Sequence, residues 1–106
     1  MRLFCLFTAC VALVASSTLL RAAGDAAKGK DVFEQCSVCH NADSSDKKIG
    51  PGLKGLFKHD QMVNGKKPTE ANVRARIDEG GNGMPAYKDM LTDQEKDDLI
   101  AYLKTL

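Results

Sequence analysis

Apolar residues follow two different rhythms along this chain. Leu3–Leu20 is an uncharged stretch of 18 residues, almost wholly apolar as far as Val14 and then mixed with small residues. Beyond Gly24 the apolar positions are sparse and separated by charge. Gly29 and Phe33 lie one helical turn apart, which predicts a first helix over about Asp25–Gln35. Gly29 is then either a tolerated weak helix former or a point of close contact with another helix. Residues from Lys47 to Pro68 read mostly as loop, with a short helical turn near Leu53–Phe57. A further helix is expected over about Glu70–Glu79, with Thr69 as its N-cap, Val73 and Ile77 facing inward and Gly80 ending it. The last helix is the best marked. Thr92-Asp93-Gln94-Glu95 makes a capping box, and Leu99, Ile100, Tyr102, Leu103 and Leu106 form an apolar stripe behind it. The pattern predicts an all-α chain of about three main helices plus short turns, without internal repeats.

The leading segment is read as an address, not as fold. Met1-Arg2, the apolar run and the small residues Ala22, Ala23 and Gly24 make the pattern of a secretory signal peptide over residues 1–23, leaving residues 24–106 as one exported, periplasmic domain. Eighteen uncharged residues are also about the minimum to cross a bilayer, so an uncleaved membrane anchor is the alternative. Removing the segment changes the composition. It holds 17 of the 46 hydrophobic residues, so 29 of 83, or 35%, remain, together with four aromatics and no Trp. Net charge falls from +1 to −1, which argues against a nucleic-acid binder working on positive charge. So thin a core needs a disulfide, a metal or a cofactor, and leaves little room for an enzyme domain with its own substrate pocket.

Of the four cysteines, Cys5 and Cys10 fall in the leading segment, while Cys36 and Cys39 stay with the domain. The latter belong to Cys36-Ser37-Val38-Cys39-His40, the C-x-x-C-H signature of c-type haem attachment. Two thiols a helical turn apart can bond neighbouring vinyl groups of a porphyrin, and the adjoining imidazole of His40 reaches the iron from one face. The alternatives fit less well. A thioredoxin-like motif wants a βαβ setting, a zinc site wants more ligands than His59 can add, and a plain disulfide leaves His40 without a role. For the second axial position the exported part offers Met62, Met84 and Met90. Met84 stands in Gly80-Gly81-Asn82-Gly83-Met84-Pro85, where the glycines let the backbone run close to a flat ring and Pro85 stiffens the chain. Met62 and Met90 read as gap-fillers or surface residues.

Three ordered blocks, Cys36–His40, Ile49–Phe57 and Gly83–Tyr87, resemble the class I cytochromes c of the small single-haem bacterial kind, over nearly all of residues 25–106. The resemblance implies the class I cytochrome c fold wrapped around one covalently bound haem c, with Cys36 and Cys39 as thioether anchors and His40 and Met84 as iron ligands. It also implies that the Pro51 carbonyl accepts a hydrogen bond from His40, that Leu53 packs on the haem face, and that the first and last helices cross with Phe33 against Tyr102. Many relatives carry Gly-Arg where this chain has Lys58-His59, so His59 either serves a haem propionate or is a surface histidine. The function implied is a soluble, monomeric electron carrier and not an enzyme. A subunit of a larger oxidoreductase complex, or a gas-binding haem protein if Met84 is not on the iron, are the alternatives. Lysines 47, 48, 54, 58, 66 and 67 face only Asp60 in residues 47–67, whereas residues 89–106 are mainly acidic. That asymmetry is either ordinary solvated surface or a charge dipole that docks redox partner proteins through Lys47, Lys48, Lys54 and Lys58.

Overall fold

Asp25 opens the first helix by accepting hydrogen bonds from the N–H groups of Ala27 (2.9 Å) and Lys28 (3.2 Å), which the helix itself leaves unpaired. In the computed structural model, which describes residues 24–106, this helix, α1, spans Ala26–Phe33. The leading segment expected to direct export lies outside the described residues. α1 stops two residues before the predicted Gln35. From Glu34 onward the backbone tightens into turns, with Glu34 N–H donating to Asp31 O at 3.2 Å, Cys36 to Phe33 O at 2.8 Å and Cys39 to Cys36 O at 3.1 Å.

Helix α2 covers Glu70–Glu79, as the capping residues predict: Thr69 Oγ1 accepts the Asn72 N–H at 3.1 Å, and Gly80 leaves the helix at φ +63°. Helix α3 covers Asp93–Leu103, and both halves of its capping box form, Thr92 N–H to Glu95 Oε1 (3.0 Å) and Glu95 N–H to Thr92 Oγ1 (3.1 Å). The short turn expected near Leu53–Phe57 is a single 3₁₀ turn at Leu56–Lys58. Gly55, at φ +68°, breaks the backbone there and delays its start. Among the described residues there is no sheet, only an isolated bridge between Gly81 and Met84. No helix of the described residues is long and apolar enough to cross a membrane.

Two contacts organise the helices. α1 lies directly on α3, because a Cβ at Gly29 would stand 1.9 Å from the Asp98 carbonyl oxygen and 2.8 Å from Tyr102 Cβ. Gly29 is therefore a contact point, not a tolerated weak former. One turn on, Phe33 meets Tyr102 with ring centroids 5.3 Å apart at 54°, the tilted arrangement aromatic pairs favour. The core gathers Phe33, Val73, Ile77, Leu91, Leu99, Ile100 and Leu103, with Tyr102 and Leu106 half-buried against it.

The acidic last segment differs from its expected role. Asp98 is buried and accepts the Asp25 backbone N–H (2.8 Å) and the Gln94 side-chain amide (3.0 Å). Asp97 pairs with Arg74, and the buried Lys96 pairs with Asp78 at 2.7 Å. Asp98 is thus internal and Asp97 half-buried against Arg74, while Asp89 and Asp93 stay on the surface.

Candidate cofactor site

A cleft of about 430 Å³ opens between the cysteine turn, the 47–57 loop, the end of α2 and the loop after it, with core side chains such as Phe33, Ile77 and Leu99 at its floor. Its volume lies within the range of small-molecule and cofactor sites. Cys36, Cys39, His40, Pro51, Leu53 and Met84 all line it, although loops and turns far apart in the chain supply them.

The imidazole of His40 is held in one orientation. Its Nδ1 lies 2.8 Å from the Pro51 carbonyl oxygen. A carbonyl can only accept, so Nδ1 is the donor, and in the neutral ring Nε2 is then the nitrogen with the lone pair that a metal takes. The segment that brings Pro51 here is tied to the cysteine turn by Gly50 N–H to Cys39 O (2.7 Å) and Leu53 N–H to Asn41 O (2.8 Å). Gly50 presses on the ring: a Cβ there would sit 2.5 Å from His40 Cε1 and 2.9 Å from Nδ1. The sequence assigns Gly50 no role, and its place beside Pro51 is the only hint of one.

Cys36 and Cys39 are free thiols, and the turn places His40 N–H 3.0 Å from Cys36 O. Burial first, and then the neighbouring Cys39, push the Cys36 thiol up from its ordinary value. Tyr87, half-buried beside the cleft, is raised by burial first and then by the two cysteines. These thiols stand where the thioether sulfurs of an attached cofactor would be. Among the described residues there is no group of three or more His, Cys, Asp or Glu side chains that could hold a metal ion.

Met84 is presented by a tight turn. Gly81 and Met84 exchange two backbone hydrogen bonds of 3.0 Å around Asn82 (φ +52°) and Gly83 (φ +87°). Positive φ at both central residues is the type I′ geometry for which Asn-Gly is the preferred pair. Asn82 and Gly83 thus adopt the left-handed backbone that the turn requires, a second reason for glycine at position 83. The loop is pinned to α2 by Gly80 N–H to Arg76 O (2.9 Å), Tyr87 N–H to Ile77 O (2.9 Å) and Lys88 N–H to Asp78 O (3.3 Å). Arg76 Nη2 also donates to the Gly81 carbonyl at 3.2 Å. Met62 lines the cleft as well, while Met90 is 63% exposed.

His59 is exposed, donates from Nε2 to the Lys54 carbonyl at 3.1 Å, and does not line the cleft, in keeping with a surface histidine. Two exposed apolar residues, Ile49 and Val63, sit at the mouth with Lys47. Lys48, Lys54 and Lys58 are also exposed, and Lys48 Nζ donates to Ser37 O at 2.9 Å. An apolar cleft holding two thiols, an oriented imidazole and a thioether matches the donor set of a covalently attached haem.

Known proteins agree with this architecture. The sequence profile of the family described as cytochrome c matches residues 26–106. Cytochrome c2 of Blastochloris viridis is 35% identical, over 87% of this chain and 86% of its own length. The solved structure of cytochrome c6 from the diatom Phaeodactylum tricornutum superposes with a TM-score of 0.61 at 30% identity, over 77% of this chain and 93% of that one. Cytochrome cH from Methylobacterium extorquens gives a TM-score of 0.58 at 29% identity, over 78% of this chain and the whole of its own. A helical fold closed by the Gly29 crossing, a cleft walled by C-x-x-C-H and a methionine turn, and matches along almost the full described length lead to one conclusion: the chain belongs to the cytochrome c family.

Proposed function

We propose that the chain is an exported carrier of single electrons, with one haem c held in the cleft by Cys36 and Cys39 and ligated by His40 and Met84. Members of this family are electron carriers and not enzymes. When bound, the haem supplies a one-electron Fe(III)/Fe(II) couple, and a Met/His ligand pair raises its potential. The observation that carries the reading is the convergence of Cys36, Cys39, His40 and Met84 on one apolar cleft. The Pro51 carbonyl accepts from Nδ1 of His40 and so orients the ring with Nε2 as the ligating nitrogen. Leu53 and the core side chains give the cleft an apolar lining, and the Asn82-Gly83 turn holds Met84 at the wall.

A redox-titrated visible spectrum of wild type and Met84→Ala tests the ligand set. The wild type should show low-spin iron with a sulfur-to-iron charge-transfer band at the red end of the oxidised spectrum. Met84→Ala should lose that band, lower the potential and admit external ligands. An unchanged spectrum would refute Met84 and turn attention to Met62, the other methionine in the cleft. N-terminal sequencing of the exported protein tests cleavage after Ala22 or Ala23. For partners, Lys47, Lys48, Lys54 and Lys58 are exposed, two of them beside the cleft mouth or the cysteine turn. This favours an acidic redox protein as the docking partner. Reversing Lys54 and Lys58 to Glu should flatten the salt dependence of electron transfer, and an unaltered dependence would leave these lysines as ordinary surface.

A further inference from the structure

Lys96 is 4% exposed in the middle of α3. A buried ammonium is costly unless it is paired and hydrogen-bonded, so its partners carry information. Nζ lies 2.7 Å from the Asp78 carboxylate and donates to the Lys88 carbonyl at 3.0 Å. Those two points bracket the methionine loop: Asp78 comes just before Gly80, where the loop leaves α2, and Lys88 directly follows Tyr87, where it returns. A third bond, Lys88 N–H to Asp78 O at 3.3 Å, closes the same base. Between them, Gly81, Asn82, Gly83, Pro85 and Ala86 are all exposed, so the loop has little apolar burial of its own to hold it down. Segments of that kind open locally without global unfolding unless their ends are fastened. The bonds of Lys96 reach the end of α2 and the loop, away from the Gly29 crossing that joins α1 to α3.

We propose that Lys96 is a positioning residue for the Met84 ligand: its ammonium clasps the base of the 80–88 loop and sets how often the thioether leaves the iron. The proposal rests on Met84 being that ligand. Lys96 touches neither sulfur nor cofactor and acts through the loop.

The test is the rate at which imidazole replaces the native ligand in the ferric holoprotein, followed by stopped-flow absorbance. Lys96→Met keeps the length and apolar stem but removes the charge. It should raise the rate about tenfold or more, since breaking one half of a buried pair is strongly unfavourable. Lys96→Arg should restore most of the wild-type behaviour. Should Lys96→Met fail to fold, Asp78→Asn leaves the ammonium and its Lys88 bond in place and should give a smaller increase in the same direction. Tyr102→Leu, at the α1–α3 crossing, should lower the denaturant midpoint while leaving the imidazole rate near wild type. The clasp is overturned if both Lys96→Met and Asp78→Asn leave the rate unchanged while Met84→Ala alters the spectrum. It is also overturned if Tyr102→Leu accelerates exchange as much at equal loss of global stability. A Met84→Ala spectrum identical to wild type would instead overturn the premise.

Discussion

Replacing Gly29 by alanine tests the helix crossing at its tightest point. Alanine is the better helix former by about 1 kcal/mol, so propensity alone predicts a gain. The contact predicts the reverse. The new methyl would start 1.9 Å from the Asp98 carbonyl oxygen, and backbone on both sides leaves no flexible side chain to yield. The helices must separate by about 1 Å, a gap that forfeits a quarter to a half of the dispersion at the interface. Phe33, 5% exposed, is the bulkiest buried side chain at the crossing. Burying some 150–250 Å² of aromatic surface is worth roughly 4–6 kcal/mol, so that fraction amounts to about 1–3 kcal/mol. The Asp25–Asp98 hydrogen bond beside it adds about 1 kcal/mol if it breaks. After the propensity gain, the expected net loss is about 1–3 kcal/mol, or a fall in Tm of roughly 5–20 °C. Thermal unfolding of the holoprotein, followed by circular dichroism at fixed redox state, measures it. A Tm equal to or above wild type would refute the reasoning, since helix propensity would then outweigh the crossing.

Other outcomes follow from single side chains. The Asp98 carboxyl is held below its ordinary value of 3.8, first by the Asp25 N–H and then by the Gln94 amide. A depressed folded pKa contributes stability that is present above the unfolded value and lost as pH falls through the folded one. Asp98→Asn should therefore reduce the denaturant midpoint at neutral pH and flatten its decline below about pH 4; parallel pH profiles would remove Asp98 from the acid response. Gly50→Ala would push a methyl into His40 and break the 2.8 Å bond to Pro51, so the visible spectrum and potential should both shift. An unchanged potential would mean the imidazole is held by something other than this backbone.

The parts of the fold that were readable in the sequence are those set by local chemistry. Thr69 and Gly80 delimit α2, and Thr92 with Glu95 starts α3, because capping satisfies backbone groups within a few residues. The six expected site residues share the cleft because the C-x-x-C-H spacing and the resemblance together carry long-range information. Local reasoning failed where tertiary contacts decide. Gln94–Asp98 reads as a polar face, yet Lys96 and Asp98 are buried because the 80–88 loop and the Asp25 backbone come to meet them. The glycines of 80–83 are legible as special, and the structure adds the turn as a reason for Gly83. Asn82-Gly83 is a hairpin-turn dipeptide, and it went unread because no strand pattern flanks it.

The contact between Gly29 and Asp98 also bears on the order of events when the chain is made. The Asp25–Asp98 bond beside it joins residues 73 positions apart. For a chain delivered with its amino end first, the face of α1 carrying Gly29 and Phe33 has no partner until nearly the whole sequence has emerged. The cysteine turn directly follows α1, so the two thiols ride on a helix that is seated by the far end of the chain. The last helix to be made is thus the one that seats the first.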